Sequence, residues 1–225
     1  MSNLDLLKKL IKIESISPND NGCFDVIKQQ FEGLDFSFEE TNYKNISNLV
    51  ITNGNSKNKT FCFLGHTDVV PPGPESEWTV PPFSGEIIDN KIYGRGAADM
   101  KGGVACFISA LKEFLSEYKD PSFNIMVLLN SNEEGKLENG KVDRVINEMI
   151  DKDKFIDFCL IGEPSSSKRV GDVIRIGRRG SLSGNLKVYG IQGHVAYPKQ
   201  ALNPILGMGK TLEELKNMEW DRGNE

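Results

Sequence analysis

Histidine is scarce in this sequence: there are two in 225 residues, His66 and His194. Cysteine is nearly as scarce, and the four present, Cys23, Cys62, Cys106 and Cys159, form no C-x-x-C pair. That spacing argues against a cysteine-ligated zinc. Three of the four sit in apolar runs, so reduced core cysteines of a cytoplasmic protein are expected rather than disulfides. No apolar run approaches the roughly 20 residues that a membrane-spanning helix needs. Met1 to Ile13 carries Asp and Lys among its leucines and lacks the continuous apolar region of a signal peptide. The formal charge is -5, with acids and bases dispersed. There is no basic block to hold nucleic acid and no acidic tail to meet a charged partner. Internal repeats and low-complexity segments are also lacking. The length is enough to bury one large domain or two smaller ones.

What is present alternates between helix and strand patterns. Leu6, Leu7, Leu10 and Ile11 share one helical face, and Phe24, Ile27, Phe31 and Leu34 mark a second helix after the loop Ser17 to Gly22. Strands are expected over Phe36 to Asn42, Asn48 to Thr52, from Phe61, over Phe123 to Asn130 and over Phe155 to Ile161. A hairpin turns at Asp89-Asn90. A helix runs to about Tyr118, another buries Val142, Val145, Ile146 and Met149, and a last one spans Pro204 to Lys216. Val173 to Gly190 reads as two more strands, the second over Ser181 to Tyr189. Strand–helix alternation of this kind implies an α/β fold with parallel neighbours.

Chemistry gathers at the strand ends. The run Phe61-Cys62-Phe63-Leu64 enters Gly65-His66-Thr67-Asp68. Asn130 is followed by Ser131-Asn132-Glu133-Glu134-Gly135, and Ile161 by Gly162-Glu163-Pro164. Asp99 opens a helix inside the small-residue stretch Gly94 to Gly103. Open α/β sheets keep ligands at the C-terminal ends of their strands, so these groups should meet at one edge. Carboxylates crowded together repel one another unless a cation neutralises them. One imidazole with several acids and no thiolate favours zinc or a similar divalent ion. One His and three acids exceed a single open site and fit a pair of ions with a shared ligand, and Asp99, central in sequence, is the natural bridge. Side chains of Glu133 and Glu134 diverge, so one can bind metal while the other serves as general base. Asp68 can hold the His66 ring.

The segments Leu-Gly-His-Thr-Asp-Val-Val-Pro, Gly-Arg-Gly-Ala-Ala-Asp-Met-Lys-Gly-Gly, Asn-Glu-Glu-Gly and Ile-Gly-Glu-Pro, in that order, resemble the M20 family of di-zinc amidohydrolases and aminopeptidases. The resemblance implies a zinc-exopeptidase-like mixed sheet flanked by helices over 1–178. It implies the start of a smaller α+β lid and dimerisation domain over 179–225. It implies that His66, Asp99 and Glu163 hold one zinc, that Asp99 bridges to a second zinc bound by Glu134, and that cobalt can substitute. Glu133 would then be the general base, Asp68 the partner of His66, and His194 a group polarising the scissile carbonyl from a partner subunit of a homodimer. The Asp99–Met100 peptide is expected to be cis.

Ile-Gly-Arg-Arg-Gly-Ser-Leu-Ser-Gly and Gln-Gly-His-Val-Ala-Tyr-Pro resemble the members that remove a succinyl group from diaminopimelate. Arg178 and Tyr197 would meet this small acylated amino acid, Arg178 as a grip on its extra carboxylate. Removal of another acyl group, dipeptide cleavage and a non-catalytic metal-binding remnant stand as alternatives. Family members also carry a later histidine ligand for the second ion, and only His66 and His194 occur here. One tight zinc, a weak second site and negligible turnover are therefore expected of these 225 residues.

Overall fold

The structure is a computed structural model that describes residues 2–54, 58–135, 142–152, 154–177 and 183–220. It divides into two compact units, Met1–Ile174 and Arg175–Glu225.

The first unit is built on a five-stranded mixed sheet. Its strands are β1 (Ser37–Tyr43), β2 (Ile46–Thr52), β3 (Thr60–His66), β6 (Asn124–Asn130) and β7 (Phe158–Ile161), in the spatial order β1-β2-β6-β3-β7. β3 runs parallel to both β6 and β7, whereas β2 is antiparallel to β1 and β6. The C-terminal ends of β3, β6 and β7 therefore lie along one edge. β4 (Glu86–Ile88) and β5 (Lys91–Tyr93) form a separate hairpin whose turn residues, Asp89 and Asn90, both take positive φ. Asn and Asp tolerate that conformation best among residues with a Cβ.

Period-two alternation divides the core between the two faces of the sheet. On β6, Ile125, Val127 and Leu129 join Leu49, Ile51 and Phe63 against α1 (Asn3–Ile11), α2 (Cys23–Lys28) and α3 (Gly102–Glu117). On the other face Met126 and Leu128 join Val50 and Cys62 against Val145 and Met149 of α4 (Val142–Ile150). Every residue of β6 is buried, as a central strand covered on both faces requires. α1 begins in a capping box between Ser2 and Asp5.

Several expected elements change in extent. The second helix stops at Lys28, continues as a single 3-10 turn over Gln29–Phe31, and ends before Gly33 at φ 79°. Leu34 packs against the core from outside the helix. The last strand of the sheet is confined to Phe158–Ile161, lies at the sheet edge, and has all four residues exposed. All four cysteines are free, but only Cys23 and Cys62 are buried. Cys159 is exposed with β7, and Cys106 projects outward from α3.

In the second unit α5 (Pro204–Asn217) forms as expected, capped by the Asn203 side chain on the Ile205 amide with Pro204 in the first turn. The two strands expected over Val173 to Gly190 are not found among the described residues there. Extended pairing in this unit is limited, among those residues, to one antiparallel bridge between Ile191 and Leu202. A strand without a ladder leaves its amides and carbonyls unpaired, so an apolar alternating pattern does not suffice to make one.

One buried cation fastens the turn ahead of α3 to the end of α1. Lys101 is fully buried, and its ammonium donates to the carbonyls of Leu10 and Ile13, both at 2.8 Å, at the C-terminal end of α1. Burial holds its pKa below the ordinary lysine value. Lys101→Met should remove two charge-assisted hydrogen bonds, leaving the Leu10 and Ile13 carbonyls with the Ile13 and Ser15 amides alone, and destabilise the fold by roughly 1.5–3 kcal/mol. Urea denaturation followed by circular dichroism measures this, and a loss under 1 kcal/mol would contradict it.

Candidate metal centre

Four segments of the first unit deliver the acidic and imidazole groups. His66 is the last residue of β3, Glu133 and Glu134 follow β6, Glu163 follows β7, and Asp99 lies in the kinked turn Ala97–Lys101 ahead of α3. The Asp99–Met100 peptide is cis, as expected. Two groups of potential ligand atoms lie within 4.8 Å of one another: His66, Asp99 and Glu163, and His66, Glu133 and Glu134. His66 belongs to both.

His66 is almost wholly buried, at 1 %. Its Nδ1 lies 2.9 Å from the main-chain carbonyl of Asp68 and 3.5 Å from that residue's carboxylate. The carbonyl is the closer acceptor for an Nδ1 proton, and the carboxylate adds charge from farther off. Nε2 is thereby turned outward, 3.1 Å from Asp99 Oδ1 and 3.7 Å from Glu163 Oε1. Burial opposes the charged imidazolium, but the hydrogen bonds and charge of Asp68 outweigh it and push the His66 pKa up to about 9. Burial, reinforced by the charge of Asp99, raises the Glu134 carboxyl above the usual range. Glu163 is raised by burial as well, against the pull of His66 and with Asp99 and Glu133 adding to the rise.

Two glycines that precede ligands have a steric reason. Met100 packs under the strand ends: a Cβ on Gly65 would stand 2.7 Å from Met100 Cε, and one on Gly162 2.6 Å from the same atom. Leu-Gly-His and Ile-Gly-Glu thus leave room for the side chain that follows Asp99. The main-chain amide of His66 also points to Met100 Sδ at 3.3 Å.

Sequence reasoning missed the loop that backs the centre. Ser17 donates its hydroxyl to Asp68 Oδ2. The Glu133 and Glu134 amides donate to Asp68 Oδ1 and Oδ2 at 3.1 and 3.2 Å. Thr67 Oγ1 donates to Asp20 at 2.9 Å, and Ser131 Oγ to the Pro18 carbonyl at 2.7 Å. The only sequence signal was a polar Ser-Pro-Asn-Asp loop, and loops of that composition are common.

His194 and Tyr197 belong to the second unit, with ring centroids 5.8 Å apart, both exposed. Arg178 falls outside the described residues.

An imidazole nitrogen with its other nitrogen already occupied, ringed by carboxylates of which Glu134 and Glu163 are raised chiefly by burial, is a donor set suited to a hard or borderline divalent cation. On a mixed α/β sheet it is a candidate divalent-metal centre. The chain belongs to peptidase family M20/M25/M40, whose model matches residues 62–221. It is 48% identical over 222 residues to a succinyl-diaminopimelate desuccinylase of Psychromonas ingrahamii, covering 99% of this chain and 58% of that protein. It is 47% identical, with the same coverage, to the Methylococcus capsulatus protein of that name. The chain thus spans a little over half the length of these curated relatives. Human carnosine dipeptidase 1 shares the fold at a TM-score of 0.60 and 24% identity, over 71% of this chain and 38% of its own.

A cation needs the neutral imidazole. His66 gains its proton affinity on folding, so the stability it contributes without metal is present below its unfolded value of 6.5 and lost as pH rises through about 9. Metal uptake at pH 7 should therefore expel about one proton from His66, and uptake at pH 10 almost none. Calorimetric zinc titration in buffers of different ionisation enthalpy measures the count. Equal proton release at both pH values would contradict it.

Proposed function

We propose that the protein carrying this chain hydrolyses the amide of N-succinyl-L,L-diaminopimelate to succinate and L,L-diaminopimelate, a step of diaminopimelate and lysine biosynthesis in the cytoplasm. The observation that carries the reading is likeness, along almost the whole chain, to proteins named for that reaction. The donor set at the strand ends supports the metal-dependent chemistry it requires.

In this reading His66, Asp99 and Glu163 hold one zinc ion. Asp99 and Glu134 would hold a second, and cobalt would be an adequate substitute. Bound there, the cations supply Lewis acidity, polarising the amide carbonyl and acidifying water. Everything else is done by side chains. Asp68 holds His66 in its ligating orientation. Glu133 takes a proton from the attacking water and returns it to the departing amine, so that the carboxyl ends the cycle as it began. Contrary to the divergence expected of adjacent side chains, Glu133 and Glu134 each place a carboxylate oxygen within 4.8 Å of the same imidazole and of one another, so Glu133 is within reach of a water beside that centre. Arg178 pairs with the distal carboxylate of the succinyl group, a charge that an acetyl group lacks. Tyr197 contacts the substrate, and His194, contributed across a homodimer, polarises the scissile carbonyl.

Two substitutions separate the roles. Glu133→Gln should lower kcat by about 100- to 10,000-fold, the range of general acid–base catalysis, while zinc content is retained. Arg178→Ala should cost roughly 1.5–3 kcal/mol in kcat/KM on the succinyl substrate and leave N-acetylornithine turnover unchanged. Steady-state kinetics on both substrates checks this. Equal losses on the two would point to a different acyl specificity, and an active Glu133→Gln enzyme to a different base.

A further inference from the structure

The loop from Ser15 to Asp20 contributes no member to the groups of potential ligand atoms, yet it is fastened to two of the segments that carry them. Ser15 Oγ donates to the Thr67 carbonyl at 2.7 Å. The Ser17 amide donates to the Val69 carbonyl at 3.1 Å, and the Val69 amide to the Ser15 carbonyl at 2.9 Å. This short parallel bridge lays the loop alongside the chain leaving β3. Asp20 takes the Thr67 hydroxyl at 2.9 Å and also the amides of Gly22 and Phe24, both at 3.0 Å, at the start of α2. The Pro18 carbonyl accepts from Ser131, directly after β6.

Within this frame one contact bears on the centre. Asp68 is fully buried. Its Oδ1 meets the Glu133 amide and faces His66 Nδ1, and its Oδ2 meets the Glu134 amide and the Ser17 hydroxyl. Donors on both oxygens fix the plane of the carboxylate, and through it the His66 ring and the backbone of the Glu-Glu pair. Without the hydroxyl, Oδ2 keeps the Glu134 amide, and the group is freer to turn about its terminal torsion.

We infer that Ser17 is a positioning residue of the metal centre, acting through Asp68. The inference rests on the metal reading above. Residues that orient metal ligands typically change affinity by about 10- to 100-fold when removed, and Ser17→Ala should weaken zinc binding by that factor. Because the effect passes through Asp68, the same substitution should add nothing in an Asp68→Asn background. A purely structural role for Ser17 would add its own loss there.

The experiment is a zinc titration of the whole chain against a chromogenic chelator, with thermal unfolding of the metal-free proteins alongside. It includes wild type, Ser17→Ala, Asp68→Asn and the double variant. Ser17→Thr and Ser17→Val form a second pair, equal in shape and differing in the hydroxyl, which decides the question if the alanine variant does not fold. Tenfold or weaker binding in Ser17→Ala, recovery toward wild type in Thr but not Val, and no added loss in the double variant are expected. Wild-type affinity in Ser17→Ala, equal affinity in Thr and Val, or additive losses would overturn the inference and leave the metal reading intact. A wild-type chain that binds neither zinc nor cobalt would overturn the metal reading and the inference with it.

Discussion

Asp68 is a carboxylate taken wholly out of water, and such a group is costly to bury unless donors surround it. The donors come from three places distant in sequence: Ser17, the amides of Glu133 and Glu134, and the neighbouring imidazole of His66. Meeting that requirement pins the N-terminal loop, the end of β3 and the turn after β6 to one another. The positions of the imidazole and of the Glu-Glu backbone follow from it. The Asp99 turn is held independently, by Lys101 on the end of α1 and by Met100 beneath Gly65 and Gly162. Two separate fastenings, one anionic and one cationic, thus bring carboxylates from different strands to a single histidine.

The crowding has a cost that the folded chain carries by itself. Glu134 and Glu163 are pushed toward the neutral form by burial, and nearby acids add to the effect. His66 is pushed toward the charged form by Asp68. Both shifts have the sign expected of a cluster in which positive charge is in short supply. A divalent cation held there would supply that charge and favour the ionised carboxylates.

Much of this was legible in the sequence. An apolar run ending in Gly-His-Thr-Asp announces a buried strand whose end carries chemistry, and Glu-Glu and Gly-Glu after two further runs repeat the message. Local periodicity sufficed to find α1, α3, α4 and the central strands β2, β3 and β6, because their apolar spacing matches a face that is buried, whereas the edge strands β1 and β7 were located although most of their residues are exposed. It failed in two ways. The strands expected between Val173 and Gly190 had the right pattern but no ladder among the described residues, and pattern alone cannot supply a hydrogen-bonding partner. Ser17 and Asp20 were read only as loop residues. Their significance comes from contacts with residues about fifty positions away, which no local period encodes. The glycines at 65 and 162 were likewise visible, but their reason, the methyl of Met100 and, at 162, also the Phe63 ring, lies in tertiary packing.

The central claim is that His66, Asp99 and Glu163 form one divalent-metal site at the strand ends. Anomalous diffraction from crystals of the zinc-loaded protein, collected on either side of the zinc absorption edge, tests it most directly. The account predicts a peak bonded to His66 Nε2 and to the Asp99 and Glu163 carboxylates, with His66 Nδ1 still facing Asp68. A zinc peak bound elsewhere, or none while Nε2 keeps its direct contact with Asp99, would contradict it.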